Sequence, residues 1–138
     1  MNVLEIPFVK KVGITKNENN ELALAFSEDT HNHLQTIHAS AQFSLAETAS
    51  GDFLQTLFPE LVGNVIPVVR DATIKYKKPA IKNITAHPSI SDDSRDKFTA
   101  QFERKGRASI SVDIEVKDSE GTVTCIATYN WFVQKFNN

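Results

Sequence analysis

The stretch Ile37-His38-Ala39-Ser40-Ala41-Gln42-Phe43-Ser44-Leu45-Ala46-Glu47-Thr48-Ala49-Ser50-Gly51-Asp52-Phe53-Leu54-Gln55-Thr56-Leu57-Phe58-Pro59 decides the fold. Ala39, Ala41, Phe43, Leu45, Ala46, Ala49, Phe53, Leu54, Leu57 and Phe58 recur at helical spacing and occupy most of the circumference. A helix apolar nearly all round is one that other elements enclose. Pro59 ends it, because proline has no amide hydrogen for a further turn and clashes with the preceding carbonyl. Nothing later in the chain is both as long and as apolar.

What encloses this helix is written on either side of it. Upstream, the polar turn Asn17-Glu18-Asn19-Asn20 separates Val12-Gly13-Ile14 from Leu22-Ala23-Leu24-Ala25-Phe26, a hairpin signal. Ser27 to His33 is too polar for core and reads as a loop that collects polar side chains before the helix. Downstream the period changes to two. Ile66, Val68, Ala72, Ile74 and Tyr76 form one run, and Ile84, Ala86 and Ile90 the next. Ile110, Val112, Ile114 and Val116 alternate with Ser109, Ser111, Asp113 and Glu115. Val123, Cys125, Ala127 and Trp131 alternate with Thr124, Thr128 and Asn130, after the turn Asp118-Ser119-Glu120-Gly121. Such alternation marks half-buried antiparallel strands. Between them, Ser94 to Lys105 fits either a helix, with Phe98 and Phe102 one turn apart, or a strand; Gly106 as a C-terminal cap favours the helix. The expected architecture is α+β, one domain over residues 1–138, with a curved antiparallel sheet wrapped around one long helix.

Composition narrows the function. Fifteen Lys and Arg against seventeen Asp and Glu leave a net charge of −2, so no bulk positive field draws in nucleic acid or an anionic membrane. One cysteine, Cys125, excludes an internal disulfide and a cysteine zinc cluster, which suits a reducing compartment. MNVLEIPFVKK lacks the basic and apolar regions of an export signal, and no run reaches the roughly 18 apolar residues of a membrane span, so the expectation is a cytoplasmic protein. The motifs G-x-S-x-G, G-x-x-x-x-G-K-[ST], G-x-G-x-x-G and H-E-x-x-H are all missing. His31, His33 and His38 crowd the loop, but no carboxylate stands at a spacing that completes a metal site, so neither metal nor other cofactor is expected.

Two features carry chemistry. Glu47 stands mid-helix among Leu45, Ala46, Ala49 and Ser50, where burial raises a carboxyl pKa towards that of a useful general base; a polar stripe shared with Ser40 and Ser44 is the structural alternative. His38, Ala39 and Ser40 fall at the helix start, whose free N–H groups and positive dipole end suit a developing oxyanion. A helix start that simply meets solvent is the plainer reading.

The segment Asn32 to Ala49 resembles the central-helix motif of hotdog-fold acyl-CoA thioesterases of the phenylacetyl-CoA type, within an uncharacterised thioesterase-like branch. In that family an Asn stands six residues before His-Gly-Gly, and Asp or Glu follows the His by nine within F-x-L-A-[DE]. Asn32, His38, Phe43, Leu45, Ala46 and Glu47 hold those positions, while Ala39-Ser40 replaces Gly-Gly and Gln35 replaces a Gly. The later stretches from Ile74 to Ala80 and from Gly106 to Gly121 are similar to the family's following strands, so the resemblance covers roughly residues 6 to 134.

The resemblance implies a homodimer or homotetramer that hydrolyses an acyl-CoA substrate at subunit interfaces. Glu47 would be general base or nucleophile, Ala39 and Ser40 would offer N–H groups to the oxyanion, Asn32 would position water or carbonyl, and His38 would orient the helix start. Apart from the resemblance, the cluster Lys75, Lys77 and Lys78 suits a coenzyme's phosphates by charge, with a solvated strand end as the plainer reading. Helix geometry bears on this independently. Nine residues put Glu47 on the face opposite His38 and roughly 13 to 14 Å along the axis, so one substrate can meet both only if two subunits share a site. A hotdog domain that binds acyl-CoA or acyl chains without turnover is the first alternative. A different cone-shaped α+β ligand-binding or isomerase-like domain is the second, and the hairpin before the helix argues against it.

Overall fold

The long helix, α2 (Ala39–Leu57), is the axis of the molecule. His38 starts it, its Nδ1 accepting from the Ser40 amide at 3.0 Å, and Pro59 follows its end. Ala41, Leu45, Ala46 and Ala49 are buried, and their small side chains let strands approach the helix closely. The computed structural model describes residues 1–136.

Six antiparallel strands form the sheet: β1 (Thr15–Lys16), β2 (Leu22–Leu24), β3 (Val65–Tyr76), β4 (Ile84–Ser89), β5 (Arg107–Asp118) and β6 (Val123–Lys135), in the spatial order β1-β2-β4-β5-β6-β3. Along β5 the buried residues Ala108, Ile110, Val112, Ile114 and Val116 alternate with exposed ones, so the face towards α2 is the one that the period of two predicts. The ambiguous segment is a helix, α3 (Asp92–Lys105), capped by the Ser91 hydroxyl. Gly106 ends it at φ +70°, a left-handed conformation that favours glycine. Phe98 and Phe102 of α3 are buried, and Phe98 packs against Phe58 with ring centroids 5.0 Å apart.

Three local features depart from the sequence reading. Pro7–Val12 forms a short helix, α1, so Val12 is not in a strand and β1 begins only at Thr15. Pro7 at the helix start and Gly13 at its end, φ +91°, bracket a run too short for a helical period to show. In β3, Ile66, Val68 and Tyr76 are exposed, whereas Val69, Ala72 and Ile74 are partly buried. A bulge between Val69 and Asp71 adds one residue, and one extra residue exchanges the faces of every side chain beyond it. In β6, Thr124 is fully buried beside Cys125, because pairing with β5 shifts there from Val116↔Cys125 to Lys117↔Val123 and leaves Thr124 as the extra residue. Its hydroxyl donates to Gln42 Oε1 of α2 at 2.9 Å, a buried polar pair.

Candidate functional site

The candidate residues lie in two groups at separate stretches of α2. The first surrounds its N-terminus. The loop before the helix folds back on itself: His31 bridges Ile37, and the His38 amide donates to the Thr30 carbonyl at 2.8 Å. Asn32 holds the loop. Its Oδ1 accepts from the amides of Leu34 and Thr36 at 2.9 and 3.0 Å, and its Nδ2 donates to Thr36 Oγ1 at 2.8 Å. One Nδ2 hydrogen remains without an acceptor among the described residues. Gln35 sits at φ +58°, which explains why a glycine suits this place, and its side chain carries the cost of a left-handed backbone.

At the helix start, His38 Nδ1 occupies the Ser40 amide, so only the Ala39 N–H lacks an acceptor among the described residues. Tyr76, near the end of β3, donates its hydroxyl to the Ala39 carbonyl at 3.0 Å, and the Ile37 amide donates to the Ala80 carbonyl at 2.9 Å. These two bonds carry Lys77 and Lys78 past the helix start. Both are exposed, as is Lys75, and none of the three has a carboxylate partner among the described residues. The loop of Asn32 and the end of β3 are thus each hydrogen-bonded to the start of α2, at His38 and at Ala39.

The second group surrounds Glu47. A cavity of roughly 570 Å³ runs beside α2, and Ser44, Glu47, Thr48, Gly51 and Leu54 line it as one stripe of the helix, continued by Phe58 just past its end. Asn32, His38, Ala39 and Ser40 do not reach it, in keeping with the helix arithmetic. Glu47 is half-buried, and burial raises its carboxyl above the ordinary glutamate value of 4.5. Among the described residues it is the only ionisable side chain in the lining, to which Met1 also contributes, its ammonium bonded to Gln55 Oε1 at 3.0 Å.

The residues behind Glu47 escaped the sequence reading. Trp131 of β6 lines the cavity, and its indole N–H donates to Ser50 Oγ at 2.9 Å. Ser50 in turn donates to the Glu47 carbonyl at 2.6 Å. Gly51 is what admits the indole, since a Cβ there would stand 3.2 Å from two ring carbons. The only sequence signal was Gly51, the one glycine in a helix whose other positions all carry a side chain. Tyr129, fully buried, donates to the Phe43 carbonyl at 2.8 Å, the acceptor that an α-helix assigns to the Glu47 amide. Burial pushes the Cys125 thiol up to about 11, which removes it as a thiolate nucleophile. No group of three or more His, Cys, Asp and Glu among the described residues is placed to hold a metal ion. No helix among them is long and apolar enough to cross a membrane.

The family described as a domain of unknown function, DUF4442, matches residues 4–133. The chain belongs to the DUF4442 family. No curated protein sequence matches this DUF4442 chain significantly. Among solved structures, PA5026 of Pseudomonas aeruginosa, a protein of unknown function named a probable thioesterase, superposes with a TM-score of 0.82 at 21% identity, over 97% of this chain and 91% of that one. Thioesterase HI1161 of Haemophilus influenzae gives 0.74 at 16% identity, over 99% and 88%. BH2602 of Bacillus halodurans, crystallised with CoA, gives 0.68 at 22% identity, over 88% and 72%. The DUF4442 chain therefore has the hotdog fold, among thioesterase-like neighbours.

Proposed function

We propose that this chain is an acyl-CoA thioesterase whose site joins Glu47 of one protomer to the α2 N-terminus of its partner. The observation that carries this reading is Glu47 itself, a half-buried carboxylate in an apolar cavity with desolvation as the sole cause of its shifted pKa. A charge placed there without a partner is costly for folding and useful for proton transfer. The hotdog thioesterase neighbours and the CoA bound to BH2602 support the substrate class.

The edge strand supports the shared site. β3 ends the sheet, so its outer backbone groups have no partner strand among the described residues, and Ile66 and Val68 are exposed along it. Its first residues, Val65 and Pro67, line the cavity of Glu47, while Tyr76 near its end touches Ala39. Antiparallel pairing of β3 with a second copy about a two-fold axis brings the first end of one strand to the second end of the other. Glu47 of each protomer then faces Ala39 of its partner.

In this arrangement ionised Glu47 takes a proton from water as the oxygen attacks the thioester carbonyl. The oxyanion forms at the partner's Ala39 N–H, joined by that of Ser40 once the oxyanion replaces His38 Nδ1. Collapse breaks the carbon–sulfur bond, and Glu47 returns the proton to the leaving thiolate, giving a carboxylic acid and free coenzyme thiol. The spare Nδ2 hydrogen of Asn32 positions the water or the carbonyl, and Lys75, Lys77 and Lys78 meet the phosphates. The prior engagement of the Ser40 amide by His38 favours a second reading, a hotdog domain that binds acyl-CoA without turnover. Hydrolysis of an acyl-CoA panel by the wild type, lost in Glu47→Gln, tests the enzyme; saturable binding with no turnover of any member replaces it by the binding domain.

A further inference from the structure

We infer that the cavity beside Glu47 receives the acyl tail within a single protomer, and that its occupant is a linear chain of about ten to fourteen carbons lying along α2 from Glu47 towards Phe58. The thioester itself rests on the reading above; the tail rests on the cavity.

The lining has a direction. At the N-terminal end of the stripe stand Ser44, Glu47 and Thr48, which carry polar groups; at the other end stand Leu54 and Phe58, continued by Leu61, and the one polar side chain there, Gln55, is engaged by the Met1 backbone, accepting from its ammonium at 3.0 Å and donating to its carbonyl at 2.9 Å. The remaining walls are largely apolar and come from every layer: Val9 of α1, Phe98 of α3, Val65 of β3 and Trp131 and Val133 of β6. An acyl thioester has that same polarity, a polar carbonyl at one end of an apolar tail. Burying a tail here removes apolar surface on both sides from water, whereas a short acyl group would leave the distal half unfilled.

The dimensions set the length. Eleven residues separate Glu47 from Phe58, or about 16 Å along a helix rising 1.5 Å per residue. An extended alkyl chain advances about 1.25 Å per carbon with bonds of about 1.5 Å, so a chain of roughly a dozen carbons spans the distance. The volume of roughly 570 Å³ lies within the usual range for small-molecule pockets. Phe8 and Val62, both exposed, stand at the rim.

Trp131 is the single tryptophan of the chain, so its emission reports on the cavity directly. Primary alcohols of four to sixteen carbons are suitable probes, since they are neutral beside Glu47 and cannot be hydrolysed. Wild-type protein titrated with each should show a saturable change in Trp131 emission, with affinity rising about fourfold per methylene, the equivalent of about 0.8 kcal/mol, and levelling off near twelve carbons. A response that is absent, or independent of length between six and twelve carbons, overturns the proposal. Leu61→Phe, at the far end, should bring the plateau to shorter alcohols, and Val65→Phe does the same if that variant fails to fold. A plateau unmoved in a folded variant puts the tail elsewhere and also overturns it. Acyl-CoA hydrolysis separates this proposal from the reading it builds on. Length-dependent binding without hydrolysis keeps the tail site and removes the thioesterase, and hydrolysis without length-dependent binding does the reverse.

Discussion

Trp131 and Ser50 are joined by a hydrogen bond from the indole nitrogen to the hydroxyl oxygen, 2.9 Å long, between β6, an inner strand of the sheet, and the middle of the central helix. Because Ser50 donates onward to the Glu47 carbonyl, the bond ties the wall of the cavity to the helical turn that carries its carboxylate. Ser50→Ala leaves a largely enclosed N–H without an acceptor, which costs about 1–3 kcal/mol. Trp131→Phe removes that donor, so the double variant should lose less than the sum of the single losses. Urea denaturation of the four proteins should give a coupling of about 0.5–3 kcal/mol. Simple additivity would mean that the bond does not contribute.

Glu47 makes a linked prediction about pH. Its folded-state pKa is raised, so the folded protein is favoured at pH values below 4.5 and loses that advantage as pH rises through the raised value. Glu47→Gln carries no such charge. Its melting temperature should exceed that of the wild type near neutral pH, and the difference should vanish below 4.5, in a thermal series across pH. Wild-type turnover should rise with pH through the same ionisation, since only the carboxylate accepts a proton, and the variant should be slower by about 10²–10⁴-fold, the usual contribution of a positioned base.

Val68 tests the assembly. It is 46% exposed on the edge strand, so a charge there stays in water in an isolated chain. In a dimer paired through β3, Val68→Glu sets two carboxylates at a shared edge and should weaken association strongly. Light scattering should find a dimer or tetramer for the wild type and a monomer for the variant. Turnover should be lost with the assembly while the far-UV circular dichroism stays unchanged. A folded, fully active monomer would end the shared-site reading.

The elements legible from sequence were those whose period ran uninterrupted. α2 was legible because its apolar residues wrap the helix, and β5 because no bulge disturbs Ala108 to Val116. The facing of β3 was not, since the bulge after Val69 exchanges its faces, and Thr124 was missed for the same reason in β6. α1 is only six residues long, below what periodicity resolves. Among site residues, Glu47 stood out as a carboxylate flanked by Leu45, Ala46, Ala49 and Ser50, and the helix arithmetic alone separated it from His38. The cavity was invisible, because Val9, Leu54, Val65, Phe98 and Trp131 meet only through the tertiary fold. So was the capture of the Ser40 amide by His38, which depends on a rotamer rather than on spacing.

Ala39 allows the most direct test of catalysis between subunits. It is the first residue of α2, a position where proline fits the helix and where the amide hydrogen has no helical partner. Ala39→Pro therefore deletes the donor offered to the oxyanion and leaves the helix in place. Its melting temperature should stay close to that of the wild type, while kcat should fall by about 10²–10³-fold, as for the loss of one oxyanion donor. Glu47→Gln is impaired at the other half-site. When the two variants are mixed in equal amounts and allowed to exchange, about half of the dimers become mixed, and each mixed dimer holds one site built from an intact Glu47 and an intact Ala39. Activity should recover to about a quarter of the wild-type value, measured as thiol release from an acyl-CoA. If exchange is demonstrated by labelled chains and activity stays at the level of the separate variants, Glu47 and Ala39 do not serve one site across the interface.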